Sequence, residues 1–156
     1  MNLADLLSTS QIVPELQATE HWQAIAEMVE CLVDCGKLNP DDRDIVLASL
    51  RQREDTMSTG IGFGIAIPHA SCDRIEEVVA AFGRSRFGIE FDALDNAPVR
   101  FVVLFLVPQN QFQSHLRTLA AIAKLLNDSA MRNALDQADT AEDLLEVIQS
   151  RKPVKS

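Results

Sequence analysis

Three histidines, His21, His69 and His115, and three cysteines, Cys31, Cys35 and Cys72, are the side chains of this chain best suited to act as nucleophiles or soft ligands near neutral pH. His69 has the most informative surroundings. It follows Ile65-Ala66-Ile67-Pro68, so a strand delivers it, Pro68 fixes the backbone just before it, and a glycine-rich stretch precedes the strand. An exposed imidazole mounted at a strand end in this way could be a nucleophile, a metal ligand or a polar residue on a rim. Cys31 and Cys35 stand one helical turn apart and Cys72 follows closely on His69, so a metal site of Cys31, Cys35, His69 and Cys72 is conceivable. Its spacing matches no zinc pattern, and buried inert thiols are the plainer reading. His21, beside Trp22, is expected at the surface or its boundary and carries no assigned role.

Half of the six glycines fall at Gly60, Gly62 and Gly64, which with Ser58 and Thr59 form a shaped loop. The pattern is G-x-G-x-G with a strand after it, so the helix N-terminus that cradles a pyrophosphate in nucleotide-binding folds is missing. No G-K-[ST] occurs either. Ser58, Thr59 and the loop amides could still hold a single phosphoryl group; a tight loop needing positive φ explains the glycines equally well.

The elements that must position these groups can be read from periodicity. Leu3 to Leu7 is a short amphipathic turn, and Ile12 to Leu16 an edge strand, since Pro14 cannot donate to a ladder. Thr19 can cap a helix with Trp22, Ile25, Met28/Val29 and Leu32/Val33 on its buried face, stopped by Gly36. Asn39-Pro40 starts a second helix with Ile45, Leu47 and Leu50 inward, fading near Arg53. Short strands follow the glycine loop at 78–82 and 87–91, then Phe101 to Val107, apolar throughout as a strand covered on both faces would be. Asp95-Asn96-Ala97-Pro98 is the turn between the last two. Helices from Gln113 to Leu126, after an Asp128 or Ser129 cap, and after Thr140 complete the chain. The order β-α-α-β-β-β-α-α-α implies an α/β fold, a three-layer α/β/α sandwich with a small mixed β-sheet. The 156 residues fit a single domain over 1–150, with 151–156 as a frayed tail.

Composition narrows the function. With 47% hydrophobic and 24% charged residues the chain is an ordinary globular one, and a net charge of −9 argues against nucleic acid and against anionic membrane surfaces. Seven arginines against eight acids in residues 51–120 leave the centre nearly neutral, which suits a small bound anion or, more plainly, surface ion pairs. No signal peptide and no apolar run of membrane length is found, so a cytoplasmic protein without membrane insertion is expected.

Ser58-Thr59-Gly60-Ile61-Gly62 followed by Gly64-Ile65-Ala66-Ile67-Pro68-His69 resembles the signature of the fructose/mannitol-type enzyme IIA domain of the bacterial phosphoenolpyruvate:sugar phosphotransferase system. Arg53-Glu54, the segment 91–99 and His115-Leu116 extend the resemblance, which runs from near the N-terminus to about Gln149. It is most similar to the standalone nitrogen-regulatory enzyme IIA. The resemblance implies a phosphotransferase, a phosphohistidine carrier in which His69 accepts a phosphoryl group from HPr or its nitrogen-branch paralogue, with His115 as second active-site histidine and Arg53 near the phosphate. It implies no metal, nucleotide or organic cofactor. Onward transfer would go to a IIB domain or the phosphate would act as a signal to a regulatory target. Transport of a fructose- or mannitol-type sugar is the alternative, and a non-transferring binding module a third reading. One departure stands out: Phe63 occupies the place where the family commonly has Asn, and an aromatic residue between glycines is expected to be exposed at or near a docking face and to alter partner preference.

Overall fold

The computed structural model describes residues 3–56, 60–91 and 97–150. The expected fold class holds. Strand β6 (Val99–Pro108) is its axis, and every residue of it except Arg100 is buried. Along β6 the side chains alternate. Val102, Leu104 and Leu106 enter a core with Ile25, Met28, Val46 and Leu50, while Phe101, Val103, Phe105 and Val107 enter a second core with Leu3, Leu126, Met131 and Leu144. The first core is closed by α2 (His21–Asp34) and α3 (Arg43–Thr56). The second is closed by α1 (Leu3–Leu6), α4 (Leu116–Asn127), α5 (Ser129–Gln137) and α6 (Ala141–Ser150). A continuous apolar run therefore becomes a central strand because it has two oily faces to serve.

The six-stranded sheet is mixed. Its order is β1 (Ile12–Val13), β5 (Val79–Ile89), β6, β3 (Ile65–Ala66) and β2 (Gly60–Gly62), with β4 (His69–Cys72) also paired to β6. β1 runs parallel to β5, β5 antiparallel to β6, β3 and β4 both parallel to β6, and β2 antiparallel to β3. β3 and β4 are thus one edge interrupted at Ile67-Pro68, where Pro68 still gives its carbonyl to Phe105 N–H at 2.9 Å. Close approach of α2 to the sheet needs Gly83: a β-carbon there would stand 2.7 Å from Met28 Sδ and 2.8 Å from Leu16 Cδ1.

Several local expectations are met. Asn39 accepts from Asp41 N–H at 2.9 Å, Asp128 from Ala130 N–H at 3.2 Å, and the Thr140 hydroxyl from Asp143 N–H at 3.1 Å, each capping a helical segment. Others are corrected. Glu20, not Thr19, caps α2, because its carboxylate accepts from the N–H groups of Trp22 and Gln23 at 3.1 and 2.7 Å, while the Thr19 carbonyl accepts from Glu90 N–H. Val46 takes the buried place expected of Ile45, which is 38% exposed, and α3 runs on past Arg53 to Thr56. The edge strand covers only Ile12 and Val13. Residues 78–82 and 87–91 do not form two strands. They belong to the single strand β5, whose register shifts between Arg84 and Ile89 where Gly88 adopts φ +92°. The helix expected from Gln113 opens with a 3₁₀ turn, Gln113–His115, before α4. Ser58, Thr59, the Asp95-Asn96 part of the turn and the tail 151–156 lie outside the described residues.

The glycine stretch is a β-hairpin rather than a loop. Gly62 pairs with Ile65, so Phe63 and Gly64 are a two-residue turn, and their φ values of +57° and +78° have the signs of a type I′ turn. Asn-Gly is the pair such a turn favours, since Asn tolerates the left-handed region and Phe does not. Gly62 and Gly64, with φ of +94° and +78°, meet the positive-φ demand of this hairpin.

Candidate functional site

His69 opens β4 instead of ending a strand, because Pro68 interrupts the edge immediately before it. Its imidazole is half-buried rather than fully exposed. Nδ1 lies 2.7 Å from the carbonyl oxygen of Ile67. A carbonyl only accepts, so Nδ1 carries the proton and the lone pair of the neutral ring resides on Nε2. The ring of Phe112 lies nearly parallel to the imidazole, 10° off, with centroids 5.9 Å apart. Burial holds the His69 pKa below its usual 6.5; the Ile67 carbonyl and Glu54 pull it back up, and Arg53 presses it further down. The result is a neutral, oriented imidazole at pH 7.

The imidazole lines a cleft of about 460 Å³. One wall is the last two turns of α3, through Ser49, Gln52 and Arg53; the other is His69, Ala70 and Ser71 of β4 with Gln109 and Phe112 beyond β6. Arg53 lines the cleft with His69 and is close enough to act on it electrostatically. Glu54 is buried beside them. The Arg53 cation, four hydroxyl or amide side chains (Ser49, Gln52, Ser71 and Gln109) and a lone-pair nitrogen make a place for a small, multiply charged oxyanion.

His115 is brought to the neighbourhood but does not line this cleft. It ends the 3₁₀ turn before α4 and sets its ring edge-on to Phe105 at 6.2 Å. Phe105 is in turn the register partner of His69. His115 Nδ1 is buried without a hydrogen-bond partner. Of the loop residues, Gly60, Gly62 and Gly64 belong to the hairpin, and Ser58 and Thr59 lie outside the described residues. Phe63 is 63% exposed, as expected, with the Arg132 guanidinium 5.2 Å from its ring centre. His21 packs against Trp22 and Phe91.

Sequence reading missed Ser49, Gln52, Ser71, Gln109 and Phe112. Ser49 falls one turn before Arg53 on α3 and Ser71 alternates with His69 on β4, so helical and strand periodicity could have found these two, while Gln52 is the residue next to Arg53. Gln109 and Phe112 carry no such signal.

The imagined metal site is overturned. Among the described residues no group of three or more His, Cys, Asp or Glu side chains could hold a metal ion. Cys31 donates to the Ser10 carbonyl at 3.4 Å, and burial, then Cys35, Asp34 and Glu27, push its thiol up to about 11. Cys72 is buried in the core under α2 and α3. No helix among the described residues is long and apolar enough to cross a membrane.

Comparison with known proteins gives this arrangement a context. The chain is 36% identical over 150 residues to the PTS system fructose-specific EIIA component of Haloferax volcanii, covering 92% of this chain and 96% of that protein. It is 31% identical over 148 residues to a nitrogen regulatory protein of Bradyrhizobium diazoefficiens, covering 95% of each. The crystal structure of nitrogen regulatory protein IIA-Ntr from Neisseria meningitidis matches with a TM-score of 0.84 at 29% identity, over 94% of this chain and 98% of the other. The family profile described as "Phosphoenolpyruvate-dependent sugar phosphotransferase system, EIIA 2" matches residues 5–151, and the chain belongs to that family.

Proposed function

We propose that His69 is phosphorylated on Nε2 by a phosphohistidine donor of the HPr type, either HPr or its nitrogen-branch paralogue, and that the chain is a cytoplasmic phosphoryl carrier. The observation that carries this reading is the 2.7 Å bond from Nδ1 to the Ile67 carbonyl. It fixes the tautomer with the nucleophilic lone pair on the ring's other nitrogen. The transfer balances simply. Nε2 attacks phosphorus, the donor's P–N bond breaks, and its electron pair returns to a donor imidazole that keeps the proton on its other nitrogen. His69 keeps its own Nδ1 proton and becomes a phosphoimidazolium, stabilised by the Ile67 carbonyl.

Arg53 offsets the charge on the moving group through charge-assisted hydrogen bonds. His115, with an unpartnered Nδ1 at the start of α4, acts as the second histidine and reaches phosphate on docking. Gly60, Gly62 and Gly64 contribute through the hairpin that fixes the edge leading to His69. The phosphoryl group then passes to a IIB partner or signals to a regulatory target. Similarity to IIA-Ntr and to a nitrogen regulatory protein supports the regulatory role, and similarity to a fructose-specific EIIA component supports the sugar-transport one. Incubation with ³²P-labelled phospho-HPr and phosphorus NMR of the product test the assignment. Label in the wild type, its loss in His69→Ala, and an Nε2-phosphohistidine signal are expected; label at Nδ1 or in His69→Ala overturns it.

A further inference from the structure

β4 presents its side chains alternately: Ala70 and Cys72 are buried in the α2/α3 core, and His69 and Ser71 are half-buried on the opposite face. The two therefore share a face, with α-carbons roughly 6.6 Å apart, twice the rise of a strand residue. Both line the same cleft. The Ser71 hydroxyl makes no hydrogen bond among the described residues, so its donor and its lone pairs are uncommitted at a half-buried position. Register reinforces the placement. Ser71 is opposite Val107 and Cys72 opposite Pro108, so Gln109, the first residue after that strand, closes the same wall beside Ser71.

We propose that Ser71 donates a hydrogen bond to a phosphoryl oxygen carried on His69 Nε2, holding the group in the cleft during transfer and afterwards. The proposal rests on the reading that His69 is the phosphorylated residue. Ser49 also lines the cleft, but it sits on α3, so its distance from His69 depends on how a helix packs against an edge strand. Ser71 is fixed to His69 by one strand and a shared ladder, which is the more rigid mount. Its role complements that of Arg53. The guanidinium supplies charge from one wall, and the hydroxyl supplies a short directional bond from the wall that carries the nucleophile. No bond to Ser71 forms or breaks, and its proton stays on oxygen throughout.

Two donors separate holding the phosphate from docking a protein. Wild type, Ser71→Ala and Ser71→Thr are phosphorylated with ³²P-labelled phospho-HPr and, separately, with phosphoramidate, and the hydrolysis of the resulting phosphohistidine is followed. Circular dichroism establishes that each variant is folded. Ser71→Ala is expected to be phosphorylated about tenfold more slowly by both donors and to lose its phosphoryl group several-fold faster, with Ser71→Thr near wild type. Loss confined to phospho-HPr overturns the proposal, since a docking contact would explain it. Equal rates and lifetimes in wild type and Ser71→Ala overturn it as well, while leaving His69 as the phosphorylated residue. A wild type that takes no label from either donor overturns the His69 reading itself.

Discussion

His69 and Arg84 are two basic side chains desolvated by the same sheet, and both are held by main-chain carbonyls. Their surroundings differ in what is left open. His69 commits Nδ1 to Ile67 and keeps Nε2 on a ring that lines a cleft. Arg84 is wholly buried; its Nε donates to Pro14 O at 2.9 Å and its Nη1 to Leu135 O at 2.7 Å, tying the segment after β1 to the last turn of α5. Its charge faces the carbonyl end of a helix, where a cation is favoured. Burial and a backbone hydrogen bond are therefore common to the group proposed to be reactive and to a structural one. Chemistry is distinguished by the uncommitted atom beside open space.

The sharpest way to break this comparison is to delete each side chain and measure both stability and label. His69→Ala is expected to lose all phosphoryl uptake from phospho-HPr with a thermal midpoint close to wild type, because a half-buried edge side chain contributes little packing. Arg84→Met should do the reverse. It strips the Pro14 carbonyl of its partner and unties α5, costing about 3 kcal/mol in urea unfolding, while the protein that remains folded is labelled at the wild-type rate. If Arg84→Met abolished labelling at full stability, the two sites would be functionally coupled and the contrast would fail.

Arg53 tests the cleft side of the contrast at intermediate size. Arg53→Ala should slow transfer by about 1.5–3 kcal/mol of lost charged hydrogen bonding, and Arg53→Lys, which keeps charge but not the planar fork, by less. Unchanged rates in Arg53→Ala would remove this side chain from the phosphate.

A smaller effect is expected in the pH profile. With the His69 pKa held below 6.5, the neutral nucleophile persists under acid, so the acid limb of the phosphorylation rate should fall below pH 6.5. Arg53 lowers and Glu54 raises this pKa, so Arg53→Ala should move the limb up and Glu54→Gln should move it down. The same titration affects stability. Above pH 6.5 the neutral ring adds no pH dependence; as the pH falls through the window beneath it, the unfolded chain takes a proton that the folded chain resists, and stability drops. His69→Asn should flatten that part of the stability curve. A limb above 6.5 in the wild type contradicts the burial argument.

How far the sequence revealed these two places follows from the range of the interactions. His69 was legible because Pro68 and the strand pattern beside it are local, Arg53 entered only through the family resemblance of Arg53-Glu54, and β6 was legible because a continuous apolar run, nine of its ten residues buried, leaves no other role. Arg84 was not. Its acceptors lie 70 and 51 residues away along the chain, and the polar run Arg84-Ser85-Arg86 made β5 read as two strands. The hairpin was hidden for the opposite reason: Gly60, Gly62 and Gly64 matched a phosphate-loop composition, and only the Gly62–Ile65 pairing separates the two uses. Gln109 and Phe112 reach the cleft through the turn after β6, where no periodicity applies.

Phe63 offers the finest adjustment, because it covers a third basic side chain. Arg132 donates to the Leu126 carbonyl at 3.0 Å, as Arg84 does to Leu135, and its guanidinium stands 5.2 Å from the centre of the exposed Phe63 ring. Phe63→Asn removes that contact, worth ~0.5–1 kcal/mol at an exposed site, and at the same time relieves a left-handed backbone that costs a non-glycine residue ~1–2 kcal/mol and suits Asn better. The two changes nearly cancel, so the melting temperature should move by no more than about 3 °C. Contrary to the expectation drawn from the sequence, partner affinity should also change little. Ile65 and His69 face residues four apart on β6, roughly 13 Å, and Phe63 lies beyond Ile65. A docking face of ~800 Å² centred on His69 has a radius of roughly 16 Å, which puts Phe63 at its rim, where contacts contribute less than at the centre. Titration of HPr against wild type and Phe63→Asn should differ by about twofold. A change of a hundredfold would show that docking is centred on the hairpin and not on the histidine, and would make Phe63, rather than the cleft, the determinant of partner choice.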